Sequence, residues 1–389
     1  MRAIDWLEHL VSHPTISSAG NLDLVHGLVD ALSAAGAVVE TFPDETGNKA
    51  ALLARFGPDM PGGLMLSAHL DVVPVEGQDW TVPPFELTRR GERLHGRGAT
   101  DMKGFVACVM DLIETPEIVQ DLAKPLWIAL SYDEEVGCVG VRPMLAAIAE
   151  RGIRPELVLV GEPTSMNIGL GHKGKTAYRA RSRGIARHSA EAPLAVNALH
   201  ALGDLMAGLR RMQEDLARDG VREDGYSLPY SSVHVGVLSG GTAVNVVPSE
   251  ATMLFETRFP ASEDAAALDA RIRTMAQELD EALPDGCGLT VEELLSYPGL
   301  TTDAAAPAVQ RMTACLPETA RPCWLSFGTE GGLFAERLGV PVVVCGPGDM
   351  AQGHQPDEFI ETEQLAECRR FLERVAAAFC KESLAATPG

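Results

Sequence analysis

Basic charge is scarce in this chain: 32 lysines and arginines stand against 54 aspartates and glutamates, a net charge of −22 over 389 residues. Nucleic acid and anionic membranes both reward clustered cations, so the composition argues against either as a partner. Long apolar runs are missing as well. No stretch reaches the ~18 uninterrupted apolar residues of a membrane span. The opening MRAIDWLEHLVSH carries charges throughout and reads as an amphipathic helix rather than a signal peptide. The eight cysteines have no CxxC spacing, which suggests neither a thiolate zinc site nor a disulfide framework. Reduced, cytoplasmic surroundings are the simplest expectation. No internal repeat or low-complexity segment is visible. What remains is an ordinary globular composition, 46% apolar, in a chain long enough for two or three domains.

The chemistry collects at the ends of apolar runs. Leu64–Leu66 leads into His69 and Asp71, and the short pattern Arg93–His95 leads into a glycine-rich turn presenting Asp101. Pro125–Ser131 ends in Tyr132-Asp133-Glu134-Glu135, and Leu157–Val160 ends in Gly161-Glu162-Pro163. Val340–Val344 runs into Cys345-Gly346-Pro347-Gly348-Asp349 and then His354. A single acid in a turn is commonplace. Four apolar strands that each deliver His, Asp or Glu past the carboxyl end indicate a polynuclear metal site, because strand ends are rigid and the following loops open a cleft. His69 and Asp71, two apart on a strand, share a face. That suits an imidazole bound to metal through one nitrogen and held by a carboxylate through the other. His69, Asp101, Glu134, Glu135, Glu162 and His354 are the groups with metal-site logic. Nitrogen and oxygen donors without thiolate suit Zn²⁺, with Co²⁺ or Mn²⁺ as substitutes.

Apolar spacing predicts helices over Ile4–His13, Asn21–Ala35, Met102–Glu114 and Cys138–Arg151, and strands over Ala50–Phe56 and Gly63–Leu70. Strands alternating with helices give an α/β fold with a mostly parallel central sheet. After Lys173 the texture changes. Alternating strands at Thr176–Arg181, Ser231–Leu238, Ala251–Phe259 and Leu289–Leu294 enclose helices at Leu194–Arg218 and Ala265–Leu283. The order β-α-β-β-α-β is that of a ferredoxin-like α+β unit. We therefore expect an inserted domain, residues 175–294, within a catalytic domain formed by residues 1–174 and 295–389. The second part adds helices at Thr302–Cys315, Thr329–Leu338 and Glu361–Cys380 and a strand at Val340–Cys345.

The pieces SAHLDVVP, GRGATDMKG, YDEEVG, GEPT and GHQPDEF, in this order across nearly the whole chain, resemble the dizinc deacylase and exopeptidase family. The resemblance implies a zinc-exopeptidase-like catalytic domain, with a central mixed sheet flanked by helices, and an inserted lid and dimerisation domain. It implies two Zn²⁺ per subunit, Co²⁺ substituting, with Asp101 bridging, His69 and Glu162 completing one site and Glu135 and His354 the other. Glu134 is then the general base, Asp71 fixes the His69 tautomer, and His188 stabilises an oxyanion in a partner subunit's site. Asn245 and Arg258 look like substrate-binding positions, Arg258 as a carboxylate clamp. SYDEEVGC, GTEGGLF and GPGD look most like family members that hydrolyse N²-acetyl-L-ornithine in arginine biosynthesis. That substrate, a small N-acetylated amino acid, carries a side-chain ammonium. Glu330, at a helix start after Gly328, is the candidate counter-charge, and a favourable acid at a helix N-terminus is the alternative. Succinyl-diaminopimelate, acetylcitrulline, other acyl amino acids and dipeptides remain alternative substrates, and a catalytically inactive metal-binding or dimeric scaffold is the alternative outside enzymes. The family resemblance itself implies a homodimer through the inserted domain.

Overall fold

The computed structural model describes residues 2–381, which fall into two compact units. The first comprises the chain up to Gly171, Thr302–Trp324 and the described residues from Thr329 onward. The second is His172–Thr301 with Leu325–Gly328.

The first unit begins with helices α1 (Arg2–Val11) and α2 (Leu22–Ala34), whose buried Leu7, Leu10 and Val11, and Leu24, Val25, Leu28 and Leu32, recur at helical spacing. Strands β1 (Val38–Pro43) and β2 (Ala50–Phe56) form an antiparallel pair. Next come β3 (Leu64–His69), the small pair β4 (Thr88–Arg90) and β5 (Arg93–His95), helices α3 (Lys103–Ile113) and α4 (Pro116–Val119), β6 (Leu126–Ser131), α5 (Val141–Glu150), β7 (Leu157–Pro163) and β8 (Ile168–His172). The second unit supplies β9 (Gly174–Arg183), α6 (Ala198–Asp219), β10 (Ser232–Gly240), β11 (Glu250–Phe259), α7 (Ala265–Glu281), β12 (Gly288–Tyr297) and the two-residue β13 (Leu300–Thr301). The chain then adds α8 (Pro307–Thr313), β14 (Pro322–Leu325), α9 (Gly331–Leu338), β15 (Val342–Gly346), β16 (Phe359–Glu361) and α10 (Thr362–Cys380).

The main sheet contains the order β1-β2-β6-β3-β7-β15-β8. Its centre is parallel, β3 pairing with β6 and β7, and β7 with β15, while β2 and β8 join antiparallel. Alternate residues of the central strands, among them Leu64, Leu66, Ile128 and Leu159, share one core with α1, α2, α3 and α10. The residues between them, such as Met65, Trp127 and Val158, are buried too, with α5 and α9 packed against the sheet. Burial on both faces is why these strands read as continuous apolar runs rather than alternations. Four parallel strands therefore end on the same side, where an open α/β sheet places its ligands.

The second unit is an antiparallel sheet in the order β10-β11-β9-β12. Tyr178, Ala180, Met253 and Phe255 on one face pack against Leu202, Leu205 and Leu209 of α6 and Ile272 of α7. Sheet order and chain order together give the ferredoxin-like arrangement.

Several boundaries differ from the sequence expectation. The helix expected over 194–218 starts only at Ala198, because Pro193 belongs to a 3₁₀ segment (Ser189–Leu194) and Asn197 Oδ1 caps the helix by accepting from Leu199 N at 2.9 Å. The helix expected over 302–315 shortens to α8, with Asp303 making a turn and Pro307 in the first helical turn. Helix α5 starts at Val141 because Cys138 adopts a positive φ of 54°. Strands β1, β4, β8, β13 and β16 are additions; β8, with two glycines in Ile-Gly-Leu-Gly-His, has little strand signal in its residues.

Candidate metal centre

The site lies in the first unit, at the carboxyl ends of β3, β6 and β7 and in the loops after β5 and β15. His69 is the last residue of β3 and is buried. Its Nδ1 lies 2.9 Å from the carbonyl oxygen of Asp71, which makes Nδ1 a donor there and turns Nε2 toward the acids. Nε2 is 3.1 Å from Asp101 Oδ1 and 3.8 Å from Glu162 Oε1. Asp101 Oδ2 is 3.1 Å from His354 Nε2, which is also 3.0 Å from Glu135 Oε2. Two triads result, His69–Asp101–Glu162 and Asp101–Glu135–His354, each with ligand atoms within 4.8 Å of one another. Asp101 belongs to both.

Close packing brings these loops together. A Cβ on Gly161 would sit 2.1 Å from the Phe105 ring, so glycine there lets α3 lie directly against the end of β7. That contact places Asp101, two residues ahead of α3, beside Glu162, one residue after Gly161. The loop carrying His354 holds the histidine at φ 60°, a left-handed conformation.

The centre is strongly acidic. Burial pushes the Glu134 and Glu162 carboxyls well above their ordinary 4.5, and burial together with Asp101 pushes Glu135 up to about 7. Burial opposes ionisation of Asp101 as well, but hydrogen bonds from His354 and His69 outweigh it and hold that carboxyl well below its usual range. Hydrogen bonds to Asp101 and Glu135 push His354 up to about 10. Asp101, Glu134, Glu135 and Glu162 thus outnumber the two imidazoles that balance them. Negative excess, mixed nitrogen and carboxylate donors and a shared Asp101 fit a pair of divalent cations.

Glu134 adjoins the Glu135 of the second triad and belongs to neither triad. Its Oε1 is 3.4 Å from the Cys138 thiol, which donates to it. Asp71 stands beside His69 and also reaches beyond it. Its carboxylate stands 3.5 Å from His69 Nδ1, farther than its own carbonyl. It accepts from Ser17 Oγ at 2.7 Å and from the backbone N–H of Glu134 and Glu135 at 3.1 and 3.3 Å. The chain turns after His69, so the carboxylate reaches the Glu134–Glu135 turn and organises it. Lys49 holds the same turn from Asp133, whose two carboxylate oxygens each lie 2.7 Å from its ammonium. Sequence reasoning missed Ser17 and Lys49, which carry no motif of their own.

Glu330 is enclosed rather than on a rim, with 1% exposure. Its Oε2 is 3.5 Å from Ser67 Oγ, and its buried Oε1 has no hydrogen-bond partner among the described residues. The side chain does not cap its own helix. Burial pushes this carboxyl up to about 7.

His188, Asn245 and Arg258 belong to the second unit. His188 and Asn245 are exposed and adjacent, with the Ser189 N–H donating to the Asn245 carbonyl at 2.9 Å. His188 Nδ1 accepts from Ala190 N at 3.2 Å. Arg258 Nε donates to Glu256 at 2.9 Å and one terminal nitrogen donates to Tyr297 Oη at 3.1 Å, so part of its fork is already engaged.

Residues 65–378 match the model of Peptidase family M20/M25/M40. An acetylornithine deacetylase of Pasteurella multocida (strain Pm70) is 31% identical over 379 residues, covering 95% of this chain and 96% of that protein. An M20 family metallo-carboxypeptidase from Sulfolobus solfataricus superposes with a TM-score of 0.80 at 18% identity, covering 97% of this chain and 98% of that one. A Bacillus subtilis protein described as a dinuclear metal binding peptidase from the M20 family superposes with a TM-score of 0.68 at 16% identity, covering 96% of each chain.

Proposed function

We propose, from the premise that the chain belongs to Peptidase family M20/M25/M40, that it hydrolyses the amide of N²-acetyl-L-ornithine to L-ornithine and acetate. The observation that carries a metal-dependent hydrolase is the sharing of Asp101 by two ligand triads with Glu134 beside them. The identity of the substrate is supported by 31% identity to an acetylornithine deacetylase over 95% of the chain.

His69, Asp101 and Glu162 would hold one divalent cation, and Asp101, Glu135 and His354 the other, zinc by the donor chemistry with cobalt as substitute. Such a pair supplies Lewis acidity toward the amide carbonyl and toward water. The protein's own groups then carry the proton traffic. Glu134 takes a proton from the attacking water as the new C–O bond forms, and then delivers it to the amine nitrogen, so that the C–N bond breaks and the oxyanion collapses to the carboxylic acid. Asp71, through the backbone of Glu134 and Glu135, holds the base and its neighbour in place. Resemblance assigns His188 to the oxyanion, and Asn245 and Arg258 to the substrate's polar end. Glu330, a buried carboxylate with an unpartnered oxygen, is assigned to the ornithine ammonium.

All eight cysteines are free, which supports a cytoplasmic setting. The edge strand β10 of the second unit, with exposed Val237 and Leu238, supports a homodimer formed through that unit. The test is hydrolysis by metal-loaded protein of acetylornithine, acetylcitrulline, succinyl-diaminopimelate and a dipeptide, compared by kcat/KM. Acetylornithine is expected to lead. A different leader overturns the substrate, and no hydrolysis of any of them by protein with two bound metals overturns the enzyme.

A further inference from the structure

His69 and Glu162 stand on β3 and β7, whose positions are set by parallel pairing inside the main sheet. Asp101 and His354 have no such support, because both sit in irregular loops. A chain of side chains links the two loops. Glu358 is buried and accepts three backbone N–H groups of the Asp101 loop, Gly98 at 3.0 Å, Thr100 at 2.9 Å and Asp101 itself at 3.1 Å. Arg97, 1% exposed, neutralises it with a terminal nitrogen 2.7 Å from Glu358 Oε2. The other terminal nitrogen of Arg97 donates to Gln78 Oε1. Gln78 in turn donates from Nε2 to the main-chain carbonyl of His354 at 3.0 Å. Trp80 holds the middle of the chain, its indole N–H on Gln78 Oε1 at 3.0 Å and its ring 5.0 Å from the Arg97 guanidinium.

We propose that Gln78 and Arg97 are positioning residues that set the separation of Asp101 from His354, so that the Asp101–Glu135–His354 subsite alone depends on Gln78, which donates to the His354 carbonyl and not to the Asp101 loop, whereas Arg97, through Glu358 and the shared Asp101, bears on both subsites. The proposal rests on the two-ion reading of the centre and goes beyond it by making the subsites unequal. Arginine suits position 97 because its planar fork addresses Glu358 and Gln78 from two separate terminal nitrogens in a fixed geometry, which a single ammonium nitrogen does not reproduce. The histidine's left-handed backbone lies outside the sheet, and the Gln78 bond to its carbonyl helps to keep its ring on Asp101 and Glu135. Sheet pairing does that task for His69 and Glu162.

The experiment is a titration of Co²⁺ into chelator-treated full-length protein, followed by visible absorption and by metal analysis. A His354→Ala variant identifies which of the two binding events belongs to the Asp101–Glu135–His354 subsite. In Gln78→Leu that event is expected to weaken by about tenfold or more, as loss of an outer partner of a ligand commonly does, while the other stays within roughly twofold. In Arg97→Lys, which also loosens the shared Asp101, both events are expected to weaken. The metal-free Gln78→Leu protein should still melt cooperatively, lowered only by the lost bonds to Arg97, Trp80 and His354, since the residue is half-buried. Should Arg97→Lys fail to fold, Gln78→Leu alone decides. Two events in the parent that shift together, or not at all, in Gln78→Leu overturn the inference and leave the two-ion reading standing. A single event in the parent overturns that reading and the inference with it.

Discussion

Replacing Glu330 by glutamine separates stability from specificity, because the structure sets the two in opposition. Burial raises the carboxyl from its ordinary 4.5 to about 7. At ~1.4 kcal/mol per unit, ionising it inside the fold costs roughly 3 kcal/mol relative to the unfolded chain. The sign follows from the raised value. The group's contribution to stability is fully present below its unfolded value, and it is lost as pH rises through about 7. Glutamine keeps the shape without the charge. Metal-free Glu330→Gln should therefore unfold at higher denaturant than the parent at alkaline pH, by up to about 3 kcal/mol, and at nearly the same denaturant in mild acid. The specificity cost runs the other way. If the orphaned Oε1 receives the ornithine ammonium, losing a desolvated charge partner removes ~2–5 kcal/mol, well over tenfold, from discrimination in favour of acetylornithine. Steady-state kinetics should show KM for acetylornithine raised and that for neutral acetylmethionine spared. Equal losses on both substrates would refute the ammonium assignment and make Glu330 structural. An unchanged stability profile at alkaline pH would refute the burial argument.

Glu134→Gln should retain both metals by direct analysis and lose at least ~10²-fold in kcat, the usual worth of a general base; a variant that stays active would remove Glu134 from proton transfer. Asp71→Asn leaves the His69 contact through the unaltered carbonyl but disturbs two acceptor bonds at the Glu134–Glu135 turn and a third from Ser17. It should lower kcat by about tenfold or more with KM nearly constant, at ~1.5–3 kcal/mol for a bond to a charged group, and a pure KM effect would contradict that role. Mixing His188→Ala with Glu134→Ala subunits should restore partial activity if His188 acts across a homodimer. Verified heterodimers without recovery would confine it to its own subunit or to a structural role.

The candidate ligands were legible in the residues because each is local to its own signal. An apolar run marks a strand that is buried on both faces, and the acid or histidine at the end of the run is carried to the site by that strand. His69, Glu134, Glu135 and Glu162 follow β3, β6 and β7 in this way. Helical spacing exposed α1, α2 and α7 for the same reason, since a one-sided burial pattern is written within a few turns. Boundaries were less legible where one residue breaks the pattern, as Pro193 and Asn197 do ahead of α6. Strand β8 escaped because it is held by neighbours on either side and not by its own composition.

Only the tertiary structure decided what holds the ligands. Ser17 reaches Asp71, Lys49 reaches Asp133 and Gln78 reaches His354 across 54, 84 and 276 residues of chain. A polar residue in a loop has no pattern that names its partner, so these bonds exist only once the sheet has brought the loops to one side. The same holds for Glu330. Its sequence position is equally compatible with a helix cap and with a cleft carboxylate, and the packing that closes over it leaves it a buried acid with an unpartnered oxygen. Ligand identity was thus a property of short stretches, whereas ligand orientation and charge came from long-range packing, because desolvation and hydrogen bonding depend on every element that surrounds a group.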